Sequence, residues 1–307
     1  MAELVTRDDV DAAAARIGGS IHHTPIFTSR ALDAIAGRPL RFKAEPFQKT
    51  GSFKIRGALN KVLSLTAEEK ARGIITLSAG NAAAAYSLAA RMAGVNATVV
   101  MPSAAVPAKV DAVRGYGGDV IQADDLLGTY ESVRDERGLA ACHPFDDAAM
   151  IAGNGTLGAE LLADAPDIDT IVVPVGGGGL ISGVGAAVHG TGVRVVGVEP
   201  AGASIVADSL AAGEPLRDAN QRSVADGLMP PMAGAVSQAH VATYVDDLVQ
   251  VEDDAILDAM TLVVTRMKVV VEPSAAAGLA AVLGGLIDGD RVAVVLSGGN
   301  LNLALLG

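Results

Sequence analysis

Several residue types are scarce in this chain of 307 residues, and each scarcity excludes a class of protein. Cys142 is the only cysteine, so the chain has no internal disulfide and no cysteine spacing typical of a zinc site. Aromatic residues make up 3% of the chain and tryptophan is absent, so the core must be built from Ala, Val, Leu and Ile. Such a core suits short buried parallel strands that alternate with helices.

Positive charge is also scarce. Lys and Arg number 23 against 35 Asp and Glu, which gives a formal net charge of −12 without any basic cluster. This balance argues against nucleic acid or an anionic membrane surface as a partner. A phosphate ligand is still compatible with it, because glycine loops and helix N-termini bind anions without basic side chains.

No segment has the pattern of a targeting or membrane-spanning sequence. Residues 1–9 are acidic and lack the apolar centre of a signal peptide. The apolar run 170–188 is interrupted by glycines, so we interpret it as a strand, a loop and a helix. A cytoplasmic protein is therefore expected.

Short apolar runs alternate with helical patterns along most of the chain, which predicts right-handed crossovers and a doubly wound α/β architecture. Thr6, followed by two aspartates, predicts the start of a first helix. Residues 70–144 have the pattern of a small inserted α/β domain, within a large domain made of residues 1–69 and 145–307. In the second half we expect a helix near 157–162 and a glycine- and proline-rich loop over a site at 223–237.

The stretch 48–60 contains the most informative lysine. Thr50-Gly51-Ser52 is typical of a turn, with Ser52 as the N-cap of the helix that follows. Lys54 then lies in the first turn of that helix, where the helix dipole disfavours a further positive charge. An amine with lowered proton affinity is suited to Schiff-base formation with an aldehyde. Taken alone, a solvated lysine on a helix surface is the alternative.

A second candidate loop is Ser78-Ala79-Gly80-Asn81, which follows the apolar run 74–77 and opens an Ala-rich helix. Its small residues expose backbone N–H groups, so the loop is suited to hold a carboxylate or a phosphate. A simple helix cap by Asn81 is the alternative explanation.

A third candidate loop consists of four glycines, Gly176, Gly177, Gly178 and Gly179, between a buried strand and a helix. Such a loop forms an anion cradle. A Rossmann dinucleotide site competes with this interpretation, because Glu199 ends the following strand about 20 residues later. However, the G-x-G-x-x-G pattern fails in every frame, since its last glycine falls on Ile181 or Ser182. We therefore place a monophosphate ahead of a dinucleotide.

The fourth candidate is Ser297-Gly298-Gly299-Asn300, which follows the last buried strand and, taken locally, is typical of a turn. Ligands of open parallel sheets bind at the carboxyl ends of the strands. Because all four features lie at such ends, we expect them to converge on one site.

In this order, the motifs resemble those of the pyridoxal-phosphate enzymes of the threonine dehydratase and serine racemase family. The resemblance extends nearly end to end and includes the segments 143–146, 151–156, 225–227 and 271–274. It implies a fold of two domains with pyridoxal 5'-phosphate in the cleft between them, an amino-acid substrate and a homodimer.

The resemblance also implies roles for individual residues. Lys54 would bind the cofactor aldehyde, Asn81 would contact its ring oxygen, and the glycine loop would hold its phosphate. Ser297 would face the pyridine nitrogen, and a neutral hydroxyl there favours elimination over transamination because it leaves the ring a weaker electron sink. The implied cofactor contacts are Phe53, Lys54, Asn81, Gly176, Gly177, Gly178, Gly179 and Ser297, and the implied substrate contacts are Ser78, Ala79, Gly80 and Asn81.

Two departures from the family pattern concern the reaction and the substrate. Racemases of the family use a serine as second base where this chain has Ala79, which carries no exchangeable proton. Elimination, with Lys54 as the base, is therefore expected ahead of racemisation. Ala82 replaces a common histidine, and with the apolar segment 229–232 it predicts a pocket for hydroxy amino acids bulkier than serine.

A third departure concerns metal binding. Glu199 and Ala203 match the family's metal-binding members, but Ile205 replaces a further acid. One carboxylate is a poor divalent-cation site, so we predict no required divalent ion and interpret Glu199 as a cap of the next helix.

These features together predict a pyridoxal-phosphate-dependent ammonia-lyase, or dehydratase. It would perform α,β-elimination on a β-hydroxy amino acid such as L-threonine or L-serine and release a 2-oxo acid and ammonia. The alternatives within the family are a racemase and a β-replacement synthase. From other classes, the alternatives are a non-catalytic cofactor-binding protein and a nucleotide-binding dehydrogenase.

Overall fold

In this computed structural model, which describes residues 4–301, the chain is an α/β protein with two separate sheets. The helices are α1 (Arg7–Ile17), α2 (Arg30–Ala36), α3 (Lys54–Ser64), α4 (Ala67–Arg72), α5 (Asn81–Ala93), α6 (Pro107–Gly115), α7 (Leu126–Arg137), α8 (Ala148–Asp164), α9 (Gly179–Val188), α10 (Ile205–Ala212), α11 (Ala235–Tyr244), α12 (Asp253–Leu262) and α13 (Pro273–Leu283). The strands are β1 (Ile26–Phe27), β2 (Leu40–Ala44), β3 (Ile74–Leu77), β4 (Ala97–Pro102), β5 (Gly118–Ala123), β6 (Ala140–Ala141), β7 (Thr170–Pro174), β8 (Arg194–Pro200), β9 (Asp247–Val251) and β10 (Val292–Leu296).

The first helix begins where the sequence predicts. The hydroxyl of Thr6 accepts a hydrogen bond from the Asp9 amide, and the Asp9 carboxylate accepts one from the Thr6 amide. This reciprocal capping satisfies two N–H groups that the helix itself leaves unpaired. The predicted helix start at Thr6 is therefore confirmed.

The larger sheet has the strand order β1-β2-β10-β7-β8-β9, and only β1 runs antiparallel to its neighbour. From β7 the chain proceeds outward through β8 and β9, then returns with β10 on the other side of β7. The strand order thus reverses between β7 and β10. In doubly wound sheets such a reversal opens a crevice at the carboxyl ends of the strands, where ligands bind.

The smaller sheet has the order β5-β4-β3-β6 and is parallel throughout. Its strands all lie between residues 74 and 141, inside the segment 70–144 that the sequence predicts as an insertion. Here the order reverses between β3 and β6. Each sheet therefore has one reversal, and the loops that leave these four strands carry most of the candidate residues. The domain boundaries themselves stay a prediction.

Helix α8 begins at Ala148, so the prediction of a helix only near 157–162 was wrong about its start. Gly153 and Gly155 precede the predicted helix in sequence, but the structure places both inside the buried helix. A Cβ at Gly153 would lie 2.6 Å from the carbonyl oxygen of Arg56 in α3, and one at Gly155 would lie 2.7 Å from that of Gly183 in α9. These glycines let α8 pack closely against both α3 and α9. The helix that begins with Lys54 and the helix that follows the four-glycine loop are therefore both held by α8.

The segment 223–237 is mostly irregular, as expected, although α11 already begins at Ala235. The sequence patterns missed α11 and β9. Between residues 4 and 301, none of the helices combines the length and the apolarity that crossing a bilayer requires.

Candidate active site

Lys54 is the first residue of α3, and its amine is directed across the site to another loop. The Nζ atom donates a hydrogen bond to the carbonyl oxygen of Pro144, 2.8 Å away, in the loop that follows β6. The side chain is half-buried, and desolvation of the amine lowers its pKa to about 8, while the nearby carboxyl of Glu272 opposes this shift. The lowered proton affinity expected for Lys54 is thus present, and burial is its main cause.

The helix that carries Lys54 is not capped as the sequence suggested. Phe53 occupies the N-cap position without a side-chain hydrogen bond, so the prediction of Ser52 as N-cap was wrong. Ser52 instead forms an isolated antiparallel bridge with Gly298, and the amide of Phe53 donates to the carbonyl oxygen of Ser297. The lysine loop is therefore held by the loop after β10. The Phe53 ring lies beside the lysine, with its centre 5.0 Å from Nζ.

A buried ionic cluster fixes the first turn of α3 from behind. Arg56 is fully buried, and its guanidinium contacts Glu45 at 2.9 Å and Glu160 at 2.7 Å. Burial alone would lower the pKa of Arg56, but the two carboxylates outweigh it and hold the pKa above its usual value. Because every rotation of α3 would break these contacts, the cluster keeps Lys54 directed at the cleft.

The four-glycine loop connects β7 to α9 and presents a row of unpaired amides. Among the described residues, none of the six N–H groups from Gly176 to Ile181 has a hydrogen-bond acceptor. Gly178 has φ of 85°, a left-handed conformation that favours glycine. A Cβ at Gly177 would lie 2.3 Å from the ring of Phe145, and one at Gly179 would lie 2.5 Å from the Phe145 carbonyl oxygen. The loop thus packs against Phe145 and is suited to bind an anion.

The loop after β3 presents a second set of amides. The N–H groups of Ala79, Asn81 and Ala82 have no acceptor within the described part of the chain, whereas the amide of Gly80 donates to the Ser78 hydroxyl at 3.2 Å. Asn81 does not cap α5, because Gly80 is the N-cap and no side chain bonds there. The alternative of a simple cap by Asn81 is therefore wrong. Its side chain points instead to two residues of the larger sheet's loops.

Those two residues are Glu272 and Asn300. The Asn81 Nδ2 atom donates to Glu272 Oε1 at 2.8 Å, and its Oδ1 atom accepts from Asn300 Nδ2 at 2.7 Å. Glu272 is buried, and this burial raises the pKa of its carboxyl to about 7. Both residues lie in sequence segments that resemble the family, but the sequence predicts no role for either. A glutamate directly before a proline, inside an apolar stretch, was the available signal for Glu272.

Ser297 directly follows β10 and is 4% exposed. Its hydroxyl makes no hydrogen bond to another residue between 4 and 301, so its proton is available to a ligand. Because β10 is the parallel neighbour of β7, Ser297 lies at the reversal of the larger sheet, at the same edge as the glycine loop that follows β7.

The loop after β6 contributes His143 and Pro144, whose roles the sequence did not predict. His143 Nδ1 accepts from the Asp146 amide at 2.8 Å, so in the neutral ring the proton resides on Nε2. Burial lowers the pKa of His143, and the charge of Lys54 lowers it further. His143 thus lies near the amine as a neutral imidazole.

Glu199 is the penultimate residue of β8 and lies outside this constellation. Its two carboxylate oxygens accept hydrogen bonds from the amides of Val206 and Ala207, both at 2.9 Å, in the first turn of α10. The interpretation of Glu199 as a helix cap is confirmed. Because both oxygens are used in this way and the residue is fully buried, Glu199 is not free to bind a ribose, and the Rossmann alternative loses its acidic residue.

These features fit pyridoxal phosphate. Six unpaired amides suit its phosphate, an amine of lowered pKa suits its aldehyde, and the second N–H of Asn81 and the hydroxyl of Ser297 suit its polar ring atoms. Comparison with known proteins agrees: residues 17–298 match the model of a family described as pyridoxal-phosphate dependent enzyme. This chain belongs to that family.

Relatives within the family carry two kinds of names. A serine racemase of Oryza sativa subsp. indica is 42% identical, over 96% of this chain and 90% of the relative. An L-threonine ammonia-lyase of Thermotoga maritima is 38% identical, over 99% of this chain and 77% of the relative. The solved structure of maize serine racemase superposes with a TM-score of 0.94 at 39% identity, covering 99% of this chain and 96% of that one. This enzyme of the pyridoxal-phosphate family therefore has both racemases and ammonia-lyases among its relatives.

Proposed function

We propose that the enzyme is an ammonia-lyase that converts a β-hydroxy amino acid, such as L-threonine or L-serine, to a 2-oxo acid and ammonia. The proposal is carried by Lys54, whose desolvated amine has a lowered pKa and is suited to take a proton. Ala79 supports it, because the family resemblance assigns to this position the second base of the racemases, and alanine carries no exchangeable proton. A homodimer and a cytoplasmic location belong to the same proposal.

Lys54 is the proposed base. With a pKa of about 8, an appreciable fraction of its amine is unprotonated near neutral pH, whereas an exposed lysine would be almost fully protonated. The hydrogen bond to the Pro144 carbonyl oxygen holds the amine in one direction. Lys54 can thus remove the substrate α-proton from one face.

Ala79 is the proposed reason why the proton is not returned to the opposite face. Racemisation exchanges a proton on both faces of the α-carbon and therefore needs an acid–base group on each. The methyl group of Ala79 supplies none at that position. Apart from return of the proton by Lys54 to the same face, which regenerates the substrate, loss of the β-hydroxyl is then the expected outcome for a deprotonated substrate.

The other loops bind and orient. When bound, pyridoxal phosphate supplies the electron sink that makes the substrate α-proton acidic. The amides from Gly176 to Ile181 would hold its phosphate, and those of Ala79, Asn81 and Ala82 would hold the substrate carboxylate. Ser297 would donate a hydrogen bond to a ring nitrogen. Because its hydroxyl carries no negative charge, this contact favours elimination over transamination.

We further propose that the pocket accepts side chains larger than that of serine. Small residues stand at Ala79 and Ala82, and the partly exposed Met229 and Met232 provide apolar surface in the loop after Asp226. Turnover of L-serine, L-threonine and β-phenylserine by the same preparation would test this. A strict preference for serine would refute it.

The reaction itself is tested by two products measured together. With L-threonine and with L-serine, we expect 2-oxo acid and ammonia in equal amounts and little D-amino acid, and no product from the Lys54→Ala variant. The second candidate, a racemase, is favoured by the serine racemase relatives. It would instead form D-serine faster than 2-oxo acid, and that result would overturn the proposed function.

A further inference from the structure

Asn81 lies in the middle of a chain of hydrogen bonds that joins four separate segments. Asn300 Nδ2 donates both to the carbonyl oxygen of Thr50, at 2.8 Å, and to Asn81 Oδ1, at 2.7 Å. Asn81 Nδ2 then donates to Glu272 Oε1, at 2.8 Å. The chain thus connects the lysine loop, the loop after β10, the start of α5 and the start of α13.

The direction of every bond in this chain follows from one backbone atom. The carbonyl oxygen of Thr50 can only accept, so Asn300 must turn its Nδ2 atom toward it. The same Nδ2 atom faces Asn81, so Asn81 must present its oxygen there and its nitrogen to Glu272. Amide orientations of this kind are assigned from the network, and here the network permits only one.

Glu272, which accepts from Asn81, is itself rigidly placed. Glu272 is 6% exposed, and its own amide donates to the carbonyl oxygen of Gly298 at 3.1 Å. A Cβ at Gly298 would lie 2.7 Å from Glu272 Oε1, so the backbone closely approaches the carboxylate. Asn81 therefore meets a fixed acceptor, while its donor, the exposed Asn300, is held by its bond to the Thr50 carbonyl oxygen.

The chain also crosses from the smaller sheet to the larger one. Asn81 follows β3, whereas Glu272 and Asn300 belong to loops of the larger sheet. A second link across the cleft is the ion pair of Lys109 with Asp226, at 3.1 Å, whose side chains are 45% and 62% exposed. Exposed pairs contribute little to stability, so the partly buried bond of Asn81 to Glu272 is the stronger tether.

We propose that Glu272 and Asn300 are positioning residues that hold Asn81, and with it the loop 78–82, against the larger sheet in the orientation that binds ligand. One amide hydrogen of Asn81 is used by Glu272, and the second is left directed away from both partners. This inference rests on the proposed role of the loop 78–82 in the site. It goes beyond that role because the orientation of the loop is then set by two residues, Glu272 and Asn300, that need not touch the substrate.

The test uses hydrogen exchange of the protein without added cofactor, together with titration of pyridoxal phosphate followed by visible absorbance. The reporters are the amides of Gly80 and Ala83, which are bonded to the Ser78 hydroxyl and the Gly80 carbonyl oxygen. In Glu272→Ala and Asn300→Ala we expect exchange at these amides to accelerate about tenfold and cofactor affinity to fall about tenfold, as for the loss of one hydrogen bond.

Two further variants separate positioning from other effects. Glu272→Gln keeps an oxygen that accepts from Asn81, so we expect it to restore both readouts to within about twofold of the wild type. Glu199→Gln is the matched control, because it alters another fully buried carboxyl that accepts amide hydrogen bonds outside the site. It should leave the exchange of Gly80 and Ala83 unchanged.

The proposal is overturned if Glu272→Ala and Asn300→Ala both leave the exchange and the affinity at wild-type values. It is also overturned if Glu272→Gln behaves like Glu272→Ala, because the charge rather than the hydrogen bond would then matter. Should Glu272→Ala fail to fold, Asn300→Ala and Glu272→Gln decide the question. Since the exchange is measured without catalysis, a protein that shows the expected pattern but forms no 2-oxo acid refutes the proposed lyase activity alone.

Discussion

Gly177→Ala is the sharpest test of the glycine loop, because space alone forbids the added methyl group. The Cβ would lie 2.3 Å from the ring of Phe145, whereas carbon atoms in contact prefer about 3.5–4.0 Å. Phe145 is 8% exposed and packs edge-on against His143, with ring centres 4.6 Å apart, so it cannot simply move aside. Either the loop or the ring must shift by more than 1 Å, which follows from the two distances and is a large displacement for a packed interior.

Overpacking of this kind costs roughly 1–3 kcal/mol. If the loop gives way, its amides leave the positions that suit a phosphate, and the cost appears as roughly 5- to 150-fold weaker binding of pyridoxal phosphate. Absorbance titration of the cofactor measures this directly, and thermal unfolding of the cofactor-free protein shows whether part of the cost falls on stability.

Gly115→Ala is the matched control, because a Cβ at that helical glycine meets no atom within 4 Å. It should change neither the affinity for the cofactor nor the unfolding temperature by more than a small amount. The double variant Phe145→Leu with Gly177→Ala relieves the contact and should recover part of the affinity. Wild-type affinity and stability in Gly177→Ala would refute the packing argument.

Three other predictions concern the reaction, the requirement for a metal ion and the pH dependence of stability. Ala79→Ser restores a hydroxyl at the loop after β3 and should raise the ratio of D-serine to 2-oxo acid by roughly 100-fold, the lower end for a positioned acid–base group; an unchanged ratio would count against the role of Ala79. Activity should survive a chelator without restoration by magnesium, because the Glu199 oxygens are taken by α10 amides. Burial raises the pKa of Glu199 from 4.5 to about 7, so its contribution to stability is present below about pH 4.5 and is lost as the pH rises through 7. Unfolding of Glu199→Gln should therefore depend less on pH over this range, and an unaltered pH dependence would contradict the shift.

Much of the candidate site could be predicted from short sequence patterns. A turn before Lys54, four glycines between a strand and a helix, and a small-residue loop before Asn81 each depend on residues only a few positions apart. Local conformational preferences act over that distance, so the patterns survive folding. The prediction of Ser52 as an N-cap failed because Ser52 pairs with Gly298, a residue far away in the sequence.

The sequence by itself thus determined the alternation of strands and helices, the family resemblance with its cofactor, and the loops that carry the candidate residues. Only the tertiary structure decided which distant groups meet there: Pro144 on Lys54, Phe145 on Gly177, and Glu272 with Asn300 on Asn81. The physical reason is the strand order. The reversals between β7 and β10 and between β3 and β6 bring together loops far apart in the chain, and strand order is set by packing of whole elements that no local pattern encodes.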